Sequence, residues 1–156
     1  MRRKDREVTD ITQILDMADR AKILHLGLFD GEYPYIVPMH YGYEYDGKFT
    51  FYLHCACEGH KLDLIRRDPH CCVEFETDTE LISGGDIPCG YGSYYSSFIG
   101  QGTAEIVDGE EKKHGLRVLM RTQTGRDFDI DDRMAASVAV IRIDIDTFTA
   151  KARVKQ

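Results

Sequence analysis

The sequence predicts a mainly β fold of the α+β class, six antiparallel strands forming a small barrel with flanking helices. Three observations carry this. Apolar residues alternate with polar ones in short runs at 23–29, 35–45, 49–54, 71–77, 94–107 and 138–151, the periodicity of strands. Two Asp-Gly pairs, Asp30-Gly31 and Asp46-Gly47, separate the first three runs and read as hairpin turns. The connections are short, so nearly all neighbouring strands run antiparallel, and closure into a barrel removes the edges they would otherwise expose.

The elements follow in order. Residues 1–9 are charged and read as a flexible or docking arm. Thr9 or Asp10 can cap a helix through ITQILDMADRA, whose Ile11, Ile14, Leu15 and Ala18 fall at helical spacing. Strands at 23–29, 35–45 and 49–54 come next. Pro38 interrupts the second and marks an edge, a bulge or a break, because a proline cannot donate to a ladder. His60 and Lys61 open a short amphipathic helix carrying Leu62, Leu64 and Ile65, which stops at Asp68-Pro69. A strand at 71–77 leads into a Gly-rich loop over 78–93, longer than most connections in a compact domain. The strand at 94–107 holds Gly100 and Gly102, which suggest a bulge or a barrel bend. A helix follows Asp108-Gly109 and stops near Gly125, a polar connection spans 126–137, and a last strand runs over 138–151.

Composition bounds the function. A chain of 156 residues suits a single domain, 1–156, with a real core. A net charge of −7 argues against nucleic acid as the main partner, since phosphate backbones need a basic surface. No apolar run is long enough for a membrane helix, and the basic start MRRKDREVTD lacks the apolar segment of a secretory signal. The expected location is therefore the cytoplasm. Five cysteines, Cys55, Cys57, Cys71, Cys72 and Cys89, are an odd number and are expected reduced. His54-Cys55-x-Cys57-x-x-His60 lacks the paired spacing of structural zinc sites, and the acidic run 126–137 lacks the calcium-loop pattern. No metal site is expected.

The candidate site lies where the strand ending at His54 turns into the helix opening at His60. A helix start offers free backbone N–H groups, and with Lys61 beside them they make an anion site suited to a phosphate. A plain strand–helix crossover with a solvated Lys61 fits the same residues. His40 by itself reads as a satisfied strand histidine, and Ser96 and Ser97 as hydroxyls for a polar ligand edge or as surface serines.

The ordered motifs YIVPMHYGYEYDG (35–47), FTFYLHCACEGHKLDLIRRDP (49–69) and YYSSFIGQGTAEIVDGEEK (94–112), with the terminal VAVIRIDIDTFTAK (138–151), cover nearly the whole chain. Together they resemble the FMN-binding split-barrel superfamily that includes pyridoxamine 5′-phosphate oxidase, and within it the nitroimidazole-resistance-type flavoproteins. The resemblance implies a six-stranded split β-barrel and a homodimer with FMN at the subunit interface. It implies that Val37, Pro38, Met39 and His40 line the flavin ring, partly through backbone groups. His54, His60 and Lys61 would hold the phosphate, with Ser96 and Ser97 adding polar contacts, from the partner chain in one arrangement. It further implies an FMN-dependent oxidoreductase acting on a small aromatic or nitroaromatic compound, with electrons from NADH or NADPH. His40 or His60 would serve as proton donor and Tyr94 and Tyr95 as a pocket wall. Cations near Cys55 and Cys57 would favour their thiolates. Two other readings stay open: a flavin carrier without turnover, and a haem or deazaflavin protein, with His25, His40, His54 or His60 on iron. The sequence departs from pyridoxamine phosphate oxidases in three places. His60-Lys61 stands where they carry Arg-Lys, the arginines of their strand matching 96–99 are absent, and no C-terminal substrate segment follows before Gln156. These departures point away from vitamin B6 oxidation.

Overall fold

The computed structural model describes residues 3–155 and contains seven strands and four α-helices. The strands are β1 (Glu7–Val8), β2 (Ile23–Asp30), β3 (Tyr33–Tyr45), β4 (Phe49–Cys55), β5 (His70–Ile82), β6 (Gly92–Val107) and β7 (Ala139–Arg153). The helices are α1 (Ile11–Arg20), α2 (His60–Arg67), α3 (Gly109–Thr124) and α4 (Asp132–Ala136). All pairings are antiparallel. The order is β1-β7-β4-β3-β2-β5-β6, and an added β7–β6 ladder brings the six long strands into a circuit. The antiparallel barrel with flanking helices is therefore the fold of this chain. None of its helices is long and apolar enough to cross a membrane.

The barrel interior is set by strand alternation. Leu24, Leu26 and Leu28 of β2, Phe49, Phe51 and Leu53, Val73 and Phe75, and Ile141, Ile143 and Ile145 all point inward and are buried. Aromatic rings fill the middle, with Phe75 stacked on Phe98 at 4.9 Å between centroids and Tyr41 on Phe75 at 5.7 Å. Helix α1 packs against one side of this core through Ile14, Met17 and Ala18. Its N-cap is Asp10, whose carboxylate accepts from the Thr12 N–H. The Tyr41 hydroxyl ties it down, donating to the Ala18 carbonyl at 2.7 Å, and burial pushes that phenol far above its usual pKa. Helix α3 covers the other side of β3 and β4 around a smaller cluster of Tyr52, Val107, Val118 and Val140.

Two sequence expectations need correction, and two that left alternatives open are resolved. Residues 1–2 of the expected arm lie outside the described residues, and its later part is not free: Glu7 and Val8 pair with Lys151 and Ala150. The expected loop 78–93 is strand at both of its ends. β5 continues to Ile82 past a bulge between Thr77 and Glu80, with Asp78 at φ 59°, and only 83–91 is loop. Alternation breaks at a bulge, so the strand reads as ended. Of the alternatives for Pro38 the edge holds: β3 runs on through it with a strand on one side only. The 126–137 connection holds the short helix α4, capped by Asp131. The glycine signal in β6 holds: the β6–β7 register shifts between Gln101 and Gly102, where a Cβ on Gly102 would strike the Asp144 carbonyl.

Gly42 shows how closely α3 is seated. A Cβ there would meet the backbone of Leu119 and Val118, which cannot move aside as a side chain would. Gly42→Ala should therefore lower folding stability by about 1–3 kcal/mol, seen as a lower urea midpoint. An unchanged midpoint would mean that α3 does not sit on β3 this closely.

Candidate functional site

The site begins where β3 and β4 part. β3 pairs with β2 from Tyr33 to His40, but with β4 only from Tyr41 to Tyr45. Beyond Leu53, β4 stays with β7, pairing His54 with Val140 and Cys55 with Ala139. Tyr33–His40 thus has a strand on one side only. Pro38 sits in this half, where a strand with one partner accommodates a proline. The two sides of the split carry His40 and His54, and His40 is close enough to act on the charge of His54. Burial, then His40, pushes the His54 imidazole below its ordinary pKa, so at neutral pH it is uncharged.

The chain from Cys55 turns through 56–59 into α2. Gly59 is the N-cap at φ 147°, a conformation favouring glycine, and supplies no side-chain cap. Its carbonyl accepts from the N–H groups of Leu62 and Asp63. The N–H groups of His60 and Lys61 have no acceptor among the described residues, so the helix start is uncovered. Lys61 is half-buried and has no carboxylate within ion-pair distance among the described residues. Its charge reaches Cys55, but burial outweighs it and raises the Cys55 pKa. The expected thiolate at Cys55 is therefore corrected to a thiol.

His60 is engaged elsewhere. Its Nε2 lies 2.6 Å from Asp30 Oδ2, and its ring meets Tyr35 edge-on at 5.4 Å. Arg67 reaches the same turn, donating to the Phe29 carbonyl at 3.0 Å and lying 3.6 Å from Asp30 Oδ1. Asp30, Tyr35 and Arg67 are neighbours of the site that sequence spacing does not reveal. The hydrogen bond from His60, helped by Arg67, holds the Asp30 carboxyl below its usual pKa.

The other candidate residues divide by the face they occupy. On β3, Pro38 and His40 are exposed, while Met39 is buried and Val37 packs against the core. His40 Nδ1 lies 3.2 Å from the Lys22 carbonyl oxygen. Ser96 is 1% exposed and points inward beside Asp78, whose carboxylate pairs with Arg20 and is held below its usual pKa first by that arginine. Ser97 points outward between Glu76 and Lys151 in the ladders. Within one chain both serines are separated from β3 by two intervening strands, β2 and β5. Tyr95 accepts a hydrogen bond from Arg6 at 3.3 Å, and Tyr94 lies beneath Lys155. The structure therefore brings His40, His54, Lys61 and the α2 start around the split and leaves Ser96, Ser97, Tyr94 and Tyr95 apart.

A groove of about 770 Å³ lies on the outer wall of the barrel, lined by Gly27, Phe29, Pro34, Ile36, Cys72 and Gln101 among others. It shares only Pro34 and Ile36 with the open half of β3. Phe29 and Ile36 are 63% and 64% exposed there, and Ile23 and Ile99 are exposed on the same wall.

A sequence model of the pyridoxamine 5′-phosphate oxidase family matches residues 10–152. Among solved structures, a candidate 5-nitroimidazole antibiotic resistance protein from Bacteroides thetaiotaomicron is 31% identical, with a TM-score of 0.78, over 93% of this chain and 85% of that one. A candidate pyridoxamine 5′-phosphate oxidase from Listeria innocua is 26% identical, with a TM-score of 0.55, over 88% and 94% of the two chains. The FAD and haem binding protein of Mycobacterium smegmatis shares the fold, with a TM-score of 0.80 at 15% identity over 96% and 74%. No curated protein matches the chain.

The Asp30–His60 contact can be checked by titration. Asp30 should titrate below an ordinary aspartate by carboxyl NMR, and His60→Ala should move it back toward about 3.9. Its share of stability is present above the unfolded pKa and disappears as the pH falls through the folded one. An Asp30 titration indifferent to His60→Ala would break the assignment.

Proposed function

The chain belongs to the pyridoxamine 5′-phosphate oxidase family, and on that premise we propose that it binds FMN along the open half of β3. The reading treats residues 1–156 as one flavin-binding unit. The observation that carries it is the uncovered α2 start beside Lys61, at the mouth of the β3–β4 split. Backbone N–H groups and a cation without a carboxylate partner are what a phosphate needs. The donor set suits the group: Asp30, the nearby carboxylate, is already matched by His60 and Arg67. The exposed apolar Ile36 and Pro38 offer a surface for a flat ring.

When bound, the flavin supplies hydride or electron transfer, and the protein orients it and shapes the pocket. Lys61 and the α2 N–H groups anchor the phosphate. His54, uncharged at neutral pH, presents a neutral imidazole at the split rather than a second cation. His40 and His60 are the candidate proton donors, and the Asp30 carboxylate fixes the ring orientation of His60. Val37 and Met39 support the strand from the core side. We read the activity as oxidoreduction of a small aromatic or nitroaromatic compound, with NADH or NADPH as electron donor. The 31% likeness to the Bacteroides protein favours the nitroaromatic class. The exposed Ile23, Phe29, Ile36 and Ile99 support a homodimer through the outer wall, with Ser96 and Ser97 near the partner's flavin.

Two measurements test this. Lys61→Ala should weaken FMN binding about 10- to 100-fold, the cost of a charge-assisted contact worth ~1.5–3 kcal/mol, by fluorescence titration of the stripped protein. Unchanged affinity would remove Lys61 from the phosphate site. Stopped-flow mixing of the FMN-loaded protein with NADH and NADPH should bleach the flavin absorbance with at least one of them. No bleaching by either would favour a flavin carrier over a reductase.

A further inference from the structure

On the outer wall, three metal-ligating side chains meet that the flavin reading does not use. His25 of β2 and Glu74 of β5 are direct cross-strand partners, and Glu76 follows two residues on, so all three share one face. His25 Nδ1 lies 3.1 Å from Glu74 Oε2 and 4.0 Å from Glu76 Oε2. One donor atom from each lies within 4.8 Å of the others, and no other His, Cys, Asp or Glu trio among the described residues comes this close.

Their charge is not balanced. Among the described residues, neither carboxylate has a lysine or arginine within ion-pair distance, and His25 is the only basic partner of both. A protonated imidazole can offset one carboxylate and not two. The collar is partly apolar, with Pro38 beside His25 and Ile99 beside Glu74. A divalent ion there would be less well screened than on an open acidic surface.

The position has a mechanical consequence. Of the six ladders in the circuit, β2–β5 is the shortest, with four Cα pairs, and His25–Glu74 is its terminal pair. Beyond that pair the two strands separate. Donors from both strands meet where the seam ends.

We propose that His25, Glu74 and Glu76 form a divalent-cation site on the outer wall, of the imidazole-plus-two-carboxylate class that takes zinc or a related first-row ion, and that the ion clips β2 to β5. Imidazole nitrogen and carboxylate oxygen are both good zinc donors, and three protein ligands leave a fourth position for water. Glu76, exposed at the rim, has the freedom to swing in and complete the set.

The test uses the full chain stripped of metal. Equilibrium dialysis should find about one Zn²⁺ per chain, and Zn²⁺ should raise the melting temperature through mass action on the folded state. His25→Ala and Glu76→Gln should each weaken binding by at least about 100-fold, the upper end of what losing even a supporting partner costs. Both should abolish the melting shift while keeping the wild-type far-UV circular dichroism. Cys57→Ser should leave both signals intact. Absence of Zn²⁺ binding to the wild type would overturn the proposal. So would binding that survives His25→Ala and Glu76→Gln, or binding lost on Cys57→Ser, which would place the ion at the His54–His60 segment instead.

Discussion

β4 cannot follow β3 and β7 at once beyond Leu53, and it follows β7. That choice leaves the first eight residues of β3 with a single partner. An open ladder edge exposes a row of backbone donors and acceptors, which a folded protein covers or uses. Here the turn after Cys55 and the start of α2 come round to the opening, so the same split that frees the edge also delivers a helix N-terminus to it. The barrel would close no less well with a capped helix. That α2 starts on Gly59 without a side-chain cap is what turns a crossover into a candidate anion site.

The core is what allows the split to persist. Rings from five strands pack at 4.8–6.4 Å between centroids, and the Tyr41 hydroxyl fixes α1 beside them. Tyr41 is where β3 exchanges β2 for β4 as its ladder partner, so the strand changes neighbours at a buried side chain that is hydrogen-bonded to α1. Close packing of this kind resists small rearrangement. The geometry of His40 and His54 is thus inherited from the core.

Charge on this acidic chain is mostly spent in surface pairs such as Lys113 with Asp132 and Arg142 with Glu105. Exposed pairs of this kind add little to stability. Among the described residues, two departures from that pattern bear on the sites: a lysine at the start of α2 without a carboxylate, and a pair of glutamates on β5 without a lysine or arginine. The thiols are quiet by comparison. Burial pushes Cys71 up to about 12 and raises Cys55 and Cys72 as well, so these three are held as thiols in the fold.

Much of this was legible in the sequence, because strand period, hairpin turns and helix starts are local properties. The Asp-Gly turns, the α1 cap, the glycine-marked bend in β6 and the uncovered start of α2 all follow from residues within a few positions of one another. Even the inward turn of Ser96 has a local signal, since it shares strand parity with Phe98, as Val37 and Met39 do with Tyr41. The run 79–82 hid behind a bulge at Asp78, whose positive φ breaks the alternation that identifies a strand. What only the tertiary structure decided are the meetings between distant segments. His60 finds Asp30 across 30 residues of chain, and His25 finds Glu74 across 49. Such contacts depend on which strands become neighbours and in which register, and a one-residue slip would put every one of those side chains on the opposite face.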